Sequence, residues 1–182
     1  GFFILPESLP KERRAAFDWK KANPLGSFQL LRSHPELLQL AAVLFLFYLA
    51  HQVLQSVFVL YTGYRYNWSP RDVGWNLMAV GCGAIVVQAL LVKPVVSRFG
   101  ERGALLTGLL CGASGFIIYG LAPTGLIFGG ALPVFALMNL VGPGVNGMMS
   151  KRVSPSEEGR LQGANSSNMA VAGIIGPLLF TT

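Results

Sequence analysis

The feature that most constrains this chain is a series of apolar stretches long enough to cross a lipid bilayer. A helix rises about 1.5 Å per residue and a hydrocarbon core is roughly 30 Å thick, so about 20 apolar residues complete one crossing. Composition agrees, because hydrophobic residues make up 52% of the chain and charged residues only 12%. We therefore predict an all-α membrane protein. Its predicted spans cover residues 37–61, 73–92, 104–121, 126–149 and 161–182.

Basic residues lie on alternate connections between these stretches. Of 14 lysines and arginines, only Arg65 and Arg71 lie outside the N-terminal segment and the connections after the second and fourth spans. Cytoplasmic loops carry an excess of Lys and Arg, so we expect those connections to face the cytoplasm. The net charge of +6 then reports topology, and it does not predict a nucleic-acid partner.

The ends of the chain predict an internal piece of a larger protein. Residues 1–5 are apolar and there is no initiating Met, so we expect them to end a preceding transmembrane helix. Residues 6–35 are predicted to form a cytoplasmic central loop, and residues 36–182 a transmembrane bundle. Aromatic residues between Phe17 and Phe28 suit a segment that lies along the lipid headgroups. A solvated loop is the alternative.

Polar side chains within the spans indicate where function should be sought, because an amide or imidazole is costly to bury in lipid unless it faces protein or water. In the first span such residues recur at three- and four-residue spacing from Tyr48 to Thr62 and share one face. We predict that this face lines a water-filled cavity; hydrogen bonding between helices is the alternative. The predicted substrate-pathway residues are His51, Gln52, Gln55, Gln88, Asn139, Asn146, Gln162 and Asn165.

His51 is the one titratable side chain near the middle of a predicted span. An imidazole changes its protonation state near neutral pH, so His51 could carry protons. A fixed role as a hydrogen-bond partner is the alternative, and the sequence leaves both open.

Helix starts and bends are indicated by Ser, Pro and Gly. Ser69-Pro70-Arg71-Asp72 has the pattern of a capping box before the second span. Proline removes a backbone hydrogen bond and glycine adds freedom, so paired residues predict hinges. The predicted hinge residues are Gly142, Pro143, Gly176 and Pro177.

Enzyme chemistry is not indicated. The sequence has no nucleophile with a paired base, no HExxH motif and no phosphate-binding glycine loop. Cys82 and Cys111 lie within spans and have no metal-ligand spacing, so we predict neither a metal nor a cofactor.

Several motifs resemble one family of membrane transporters. The segments Val59-Leu60-Tyr61-Thr62, Arg65-Tyr66-Asn67-Trp68 and Gly173-Ile174-Ile175-Gly176-Pro177 are similar to the C-terminal half of the major facilitator superfamily, of the tetracycline/proton antiporter type. The connection over residues 93–102 resembles the loop motif G-x-x-x-D-R-x-G-R-R in degenerate form. The resemblance implies a gating loop that contains Arg98, Gly100, Glu101 and Arg102.

The resemblance implies a twelve-helix fold in two six-helix bundles, with substrate held between them. This chain then provides the central loop and about five helices, a partial six-helix bundle. Two positions depart from the family pattern: Ala84 stands where tetracycline exporters have a membrane His, and Ser97 stands at the loop Asp.

We therefore expect a proton-coupled efflux antiporter of the bacterial inner membrane that exports a drug-like or amphipathic compound by alternating access. The implied partners are a small-molecule substrate, protons, the lipid bilayer and the missing N-terminal half. The alternatives are an importer of a metabolite such as a sugar, and a non-transporting scaffold or partner subunit. No Lys or Arg lies within a predicted span, whereas the first span has a stripe of polar residues from Tyr48 to Thr62. Both features favour export of a neutral or cationic compound.

Overall fold

The computed structural model describes residues 35–180, and every regular element in that range is helical. The helix end predicted at residues 1–5 and nearly all of the loop predicted at residues 6–35 lie outside the described residues. The elements are α1 (Pro35–Tyr66), α2 (Pro70–Val86), a π-helical segment (Val87–Leu91), α3 (Val92–Leu121), α4 (Gly125–Gly130), α5 (Leu132–Ala136), a 3-10 segment (Leu137–Leu140), α6 (Val141–Ser150) and α7 (Glu158–Phe180).

Within residues 35–180, three helical segments are long and apolar enough to cross a membrane: Pro35–Tyr66, Pro70–Leu121 and Gly125–Ser150. Helix α7 is not in this group, because polar residues between Gln162 and Asn168 interrupt its apolar sequence. The predicted all-α membrane fold is confirmed.

The segment Pro70–Leu121 has 52 residues, which would span roughly 80 Å if it were straight. Its backbone leaves the helical region at Gly100, where φ is 71° and ψ is 176°. Positive φ is readily adopted by glycine because it has no Cβ. Gly83, before the break, approaches Ala136, and Gly115, after the break, approaches Phe135. The segment therefore folds back at Gly100 into two helices that pack on the same neighbour.

That shared neighbour is the segment over residues 125–150, formed by α4, α5, the 3-10 turn and α6, and called here the central segment. Along α3, Gly115, Gly112 and Gly108 face its successive residues Phe135, Met138 and Val141. Small residues let helix backbones approach closely in a membrane, where no hydrophobic force acts between helices. Residue numbers fall along α3 as they rise along the central segment, so the two are antiparallel.

Helices α1 and α7 pack in parallel. The Asn168 side chain donates a hydrogen bond to the Ala41 carbonyl (2.7 Å), and Gln52 lies against Gly176 further along both helices. Residue numbers rise together on the two helices. This arrangement is expected for two spans with three crossings between them, here the two arms of Pro70–Leu121 and the segment Gly125–Ser150.

The connections gather at two ends of the bundle. At one end Lys151 forms an ion pair with Glu101 (2.5 Å), and Arg152 forms another with Glu36 (2.5 Å). At the other end the Arg65 side chain donates hydrogen bonds to the Ala122 carbonyl (3.3 Å). Alternate connections therefore lie at the same end of the bundle. The orientation predicted from the Lys and Arg distribution requires this arrangement.

The capping box before α2 is confirmed. The Ser69 hydroxyl accepts a hydrogen bond from the Asp72 backbone N–H (3.3 Å), and the Ser69 backbone N–H donates to the Asp72 carboxylate (2.9 Å). Pro70 occupies the first turn, where its missing N–H leaves no hydrogen bond unmade.

We predict that Gly144→Ala destabilises the protein, because the added Cβ would lie 2.8 Å from the Leu105 amide nitrogen and 2.9 Å from the Glu101 carbonyl oxygen. Overpacking of this kind costs about 1–3 kcal/mol. Thermal unfolding of the purified protein in detergent should show a lower midpoint.

Gly142→Ala is the matched control, since its Cβ would meet nothing within 4 Å. Its midpoint should equal or slightly exceed that of the parent, because Ala favours a helix over Gly. Equal midpoints for the two variants would contradict the close approach of α6 and α3.

Candidate functional site

His51 and Gln55 of the predicted pathway line one cavity of about 190 Å³. The opposite walls come from α2 at Leu77 and Val80, from α3 at Tyr119 and from α5 at Phe135. Three other elements therefore meet α1 at this point, and each contributes side chains that are mainly apolar. The cavity combines an imidazole and an amide with aromatic walls.

Ring packing fixes the position of His51. Its imidazole lies nearly parallel to the rings of Phe47 (centroids 6.2 Å apart, 19°) and Phe135 (6.4 Å, 13°). Its Nδ1 atom is buried and finds no hydrogen-bond partner within residues 35–180. A buried polar atom without a partner costs free energy. Nδ1 is therefore a candidate to bind a ligand, and it makes no fixed hydrogen bond in the described structure.

Other residues of the α1 stripe serve packing. A Cβ at Gly176 would lie 2.5 Å from the Gln52 Cβ, so Gln52 fills the interface between α1 and α7. Thr62 is fully buried and donates its hydroxyl hydrogen to the Phe58 carbonyl of the same helix (2.8 Å). The predicted polar face is thus divided between an interhelical contact, a local hydrogen bond and a cavity.

A second polar group lies between α6 and α7. The Asn165 amide donates to the Asn146 side-chain oxygen (2.8 Å) and lies 3.8 Å from the Met149 sulfur. Asn165 is only 7% exposed, and its side-chain oxygen has no partner in the described part of the chain. Asn139 instead donates to the Ala136 carbonyl one turn earlier (2.9 Å). The structure therefore joins Asn146 to Asn165 and leaves Asn139 apart.

Asn168 lies beside this group, although it is not among the predicted pathway residues. It is buried, and it holds α7 to α1 through the Ala41 carbonyl. Its position three residues after Asn165 places both amides on one face of the helix. This three-residue spacing is the sequence feature from which the position of Asn168 could have been predicted.

The two remaining pathway candidates, Gln88 and Gln162, are exposed. Gln88 lies in the π-helical segment Val87–Leu91, and π-helical turns within α-helices occur frequently at functional sites. Of the hinge candidates, Pro143 follows the 3-10 segment at the start of α6, and Pro177 lies inside a continuous α7.

The predicted gating loop is organised around Gly100 and Glu101. The backbone reverses at Gly100, and Glu101 pairs with Lys151, a residue outside the predicted gating loop. This ion pair joins the part of α3 that follows Gly100 to the residue after the end of α6. Arg102 is exposed, and the Arg98 guanidinium lies 5.8 Å from the ring centre of its neighbour Phe99.

We predict that Asn146 and Asn165 are energetically coupled. A double-mutant cycle with Asn146→Ala and Asn165→Ala should give a coupling free energy of about 1 kcal/mol, the size of a hydrogen bond between helices in a membrane. Reversible unfolding in mixed micelles provides the measurement. The control cycle pairs Asn139→Ala with Asn165→Ala, and its coupling should be near zero. Equal coupling in the two cycles would contradict the assigned hydrogen bond.

Comparison with known proteins identifies the family. The chain matches the Major Facilitator Superfamily over residues 1–177. It is 30% identical to the tetracycline resistance protein, class C, of Escherichia coli, over 100% of this chain and 46% of that protein. It is 34% identical to the class G protein of Vibrio anguillarum, over 78% of this chain and 36% of the relative.

A human protein, Hippocampus abundant transcript 1 protein, is 25% identical over 98% of the chain and 38% of its own length. No solved structure showed significant similarity. The chain spans about half the length, or less, of these relatives. It belongs to the Major Facilitator Superfamily and is a multi-pass protein of the bacterial inner membrane.

Proposed function

We propose that this chain is the C-terminal part of a proton-coupled exporter of drug-like or amphipathic small molecules. The observation that carries the proposal is the cavity in which His51 and Gln55 face the aromatic residues Tyr119 and Phe135. Sites for small molecules are mostly apolar and contain a few polar groups that fix orientation. The names of the bacterial relatives, tetracycline resistance proteins, support a drug as the kind of substrate.

The size of the cavity indicates that it forms only part of a substrate site. Its volume is about 190 Å³, whereas pockets for drug-sized ligands hold about 300–1,000 Å³. Transporters built from repeats bind substrate where the repeats meet. We therefore propose that the missing half of the protein completes the site, with His51 and Gln55 as this half's contribution.

The chemistry of the cavity favours a neutral or cationic compound. No Lys or Arg is among the residues that line it, so an organic anion would find no permanent positive charge there. Aromatic walls accept an apolar ring system, while the Gln55 amide and the His51 imidazole can accept or donate hydrogen bonds. His51 is also our candidate for proton exchange during transport.

Alternating access would move this half as one body. The ion pairs of Glu101 with Lys151 and of Glu36 with Arg152 tie connections together at one end. At the other end the Ala122 carbonyl accepts hydrogen bonds from both Arg65 and Tyr66. Rocking of two such bundles about a central site accounts for export without rearrangement inside either bundle.

We predict that His51→Gln and Gln55→Ala change the relative efflux rates of neutral and cationic amphipathic compounds by several-fold, while the amount of protein in the membrane stays near that of the parent. Both changes remove cavity-lining groups and leave the interface between α1 and α7 in place. Efflux of a panel of compounds from cells, normalised to immunoblot signal, provides the measurement.

The control is Leu60→Ala, on α1 away from the polar stripe and 74% exposed, which should leave the order of efflux rates unchanged. Loss of protein from the membrane in both cavity variants would support a packing role. Parental selectivity in both variants would contradict the proposed pathway.

A further inference from the structure

A second and larger cavity lies away from the polar stripe, at the end of the bundle that contains Arg65 and Ala122. This groove of about 660 Å³ opens between the start of α2 and the start of the central segment, and it is called here the α2–α4 groove. Its volume lies within the range of small-molecule sites. The residues that line it are Trp68, Asp72, Trp75, Asn76, Ala79, Thr124, Gly125, Leu126, Gly129, Gly130 and Leu132.

Glycines on the central segment give the groove its shape. A Cβ at Gly125 would lie 2.6 Å from the Trp68 indole nitrogen, and one at Gly129 would lie 3.6 Å from the Asn76 amide nitrogen. Larger residues at Gly125 would displace the indole ring. The opposite wall comes from Trp68 and the start of α2, which contributes Asp72, Trp75 and Asn76.

Two indole rings border the groove. Trp68 is held by other rings, with its centroid 5.7 Å from that of Phe128 in an edge-to-face arrangement and 5.9 Å from that of Tyr66. Trp75 is 57% exposed although it is large and mainly apolar. One ring is therefore fixed and the other is open to a ligand. The faces of indole rings attract cations.

Asp72 supplies negative charge. An exposed carboxylate is ionised at neutral pH, and both hydrogen bonds from Ser69 go to its Oδ2 atom (2.9 and 2.6 Å). The Oδ1 atom of Asp72 therefore remains available to accept a hydrogen bond from a ligand. The other carboxylates within residues 35–180 lie at the opposite end of the bundle: Glu36, Glu101, Glu157 and Glu158. Arg71, the adjacent cation, is exposed and is not among the residues that line the groove.

A further acceptor lies in the same wall. The Asn76 side-chain oxygen is buried and has no hydrogen-bond partner in the described structure. Rotation about the Cβ–Cγ bond would present this oxygen to the groove that the side chain lines. Asp72 and Asn76 are four residues apart, so they share one face of α2.

We propose that the α2–α4 groove binds a protonated organic amine, with its ammonium group on Asp72 and Asn76 and its apolar body against Trp68 and Trp75. The carboxylate and the amide oxygen accept the N–H hydrogens, and the indole faces cover the rest of the ligand. The proposal does not depend on the exporter function, because the groove is separate from the cavity of His51. Two sources offer this chemistry: a free arylalkylamine, or the headgroup of phosphatidylethanolamine.

Equilibrium binding of 2-phenylethylammonium to the complete protein in lipid vesicles tests the proposal, with 2-phenylethanol as the uncharged ligand of similar shape. The parent should bind the amine on the order of tenfold more tightly than the alcohol, as a hydrogen-bonded charge pair provides. Asp72→Asn should reduce this difference to about twofold or less.

Ser69→Ala is the matched control, because it removes the capping hydroxyl and keeps the carboxylate. It should retain the preference for the amine, so a loss confined to Asp72→Asn cannot come from the weakened start of α2. Trp75→Ala should weaken binding of both ligands, since both place their ring on the indole.

Two kinds of vesicle distinguish a free amine from the lipid headgroup as the natural ligand. Both contain the same fraction of phosphatidylglycerol, and the remaining lipid is phosphatidylethanolamine in one and a neutral glycolipid without an amine in the other. Equal affinity for the probe in both vesicles assigns the groove to a free amine. Weaker binding in phosphatidylethanolamine, and no such weakening in Asp72→Asn, assigns it to the lipid headgroup. Equal affinity for amine and alcohol in the parent, or an unchanged preference in Asp72→Asn, would overturn the proposal.

Discussion

The fold depends on close contact between helix backbones along the central segment, residues 125–150. Lipid supplies no hydrophobic force that would drive helices together, so packing distance determines how strongly they associate. Glycines at 108, 112 and 115 of α3 and at 144 of the central segment leave room for neighbouring atoms that a methyl group would meet within about 3 Å. Both arms of the segment that reverses at Gly100 pack on the central segment, which also contributes lining residues to both cavities, Phe135 to one and Gly125 and Gly129 to the other.

This packing divides the polar side chains into two classes. Thr62, Asn139 and Asn168 donate to backbone carbonyls and are satisfied. His51 Nδ1, Asn76 Oδ1 and Asn165 Oδ1 are buried within the described structure and lack partners there. Because such atoms cost free energy in a membrane, they are where ligands, protons or the other half of the protein would be expected to act. Two of the three belong to side chains that line the cavities described above.

The sequence predicted what depends on local pattern. Apolar length and the Ser69–Asp72 spacing were sufficient for the all-α membrane fold and for the capping box. The division of the α1 stripe was not predictable, because Gln52 and Gln55 differ only in whether α7 or a cavity lies opposite them. The pairing of Glu101 with Lys151 was missed for the same reason, since these residues are 50 positions apart in the sequence and meet only after the fold-back at Gly100. The α2–α4 groove likewise needs glycines from a later segment.

Cysteine accessibility tests most directly the claim that alternate connections face opposite sides of the membrane. In a protein whose Cys82 and Cys111 are replaced by Ser, single cysteines are introduced at three exposed positions: Asn67→Cys between α1 and α2, Arg98→Cys beside the fold-back at Gly100, and Ser156→Cys between α6 and α7. A membrane-impermeant maleimide is then applied to intact cells. We expect labelling of position 67 in intact cells, and of positions 98 and 156 only after permeabilisation. Labelling of position 98 or 156 from outside would contradict the orientation and the assignment of the two ends.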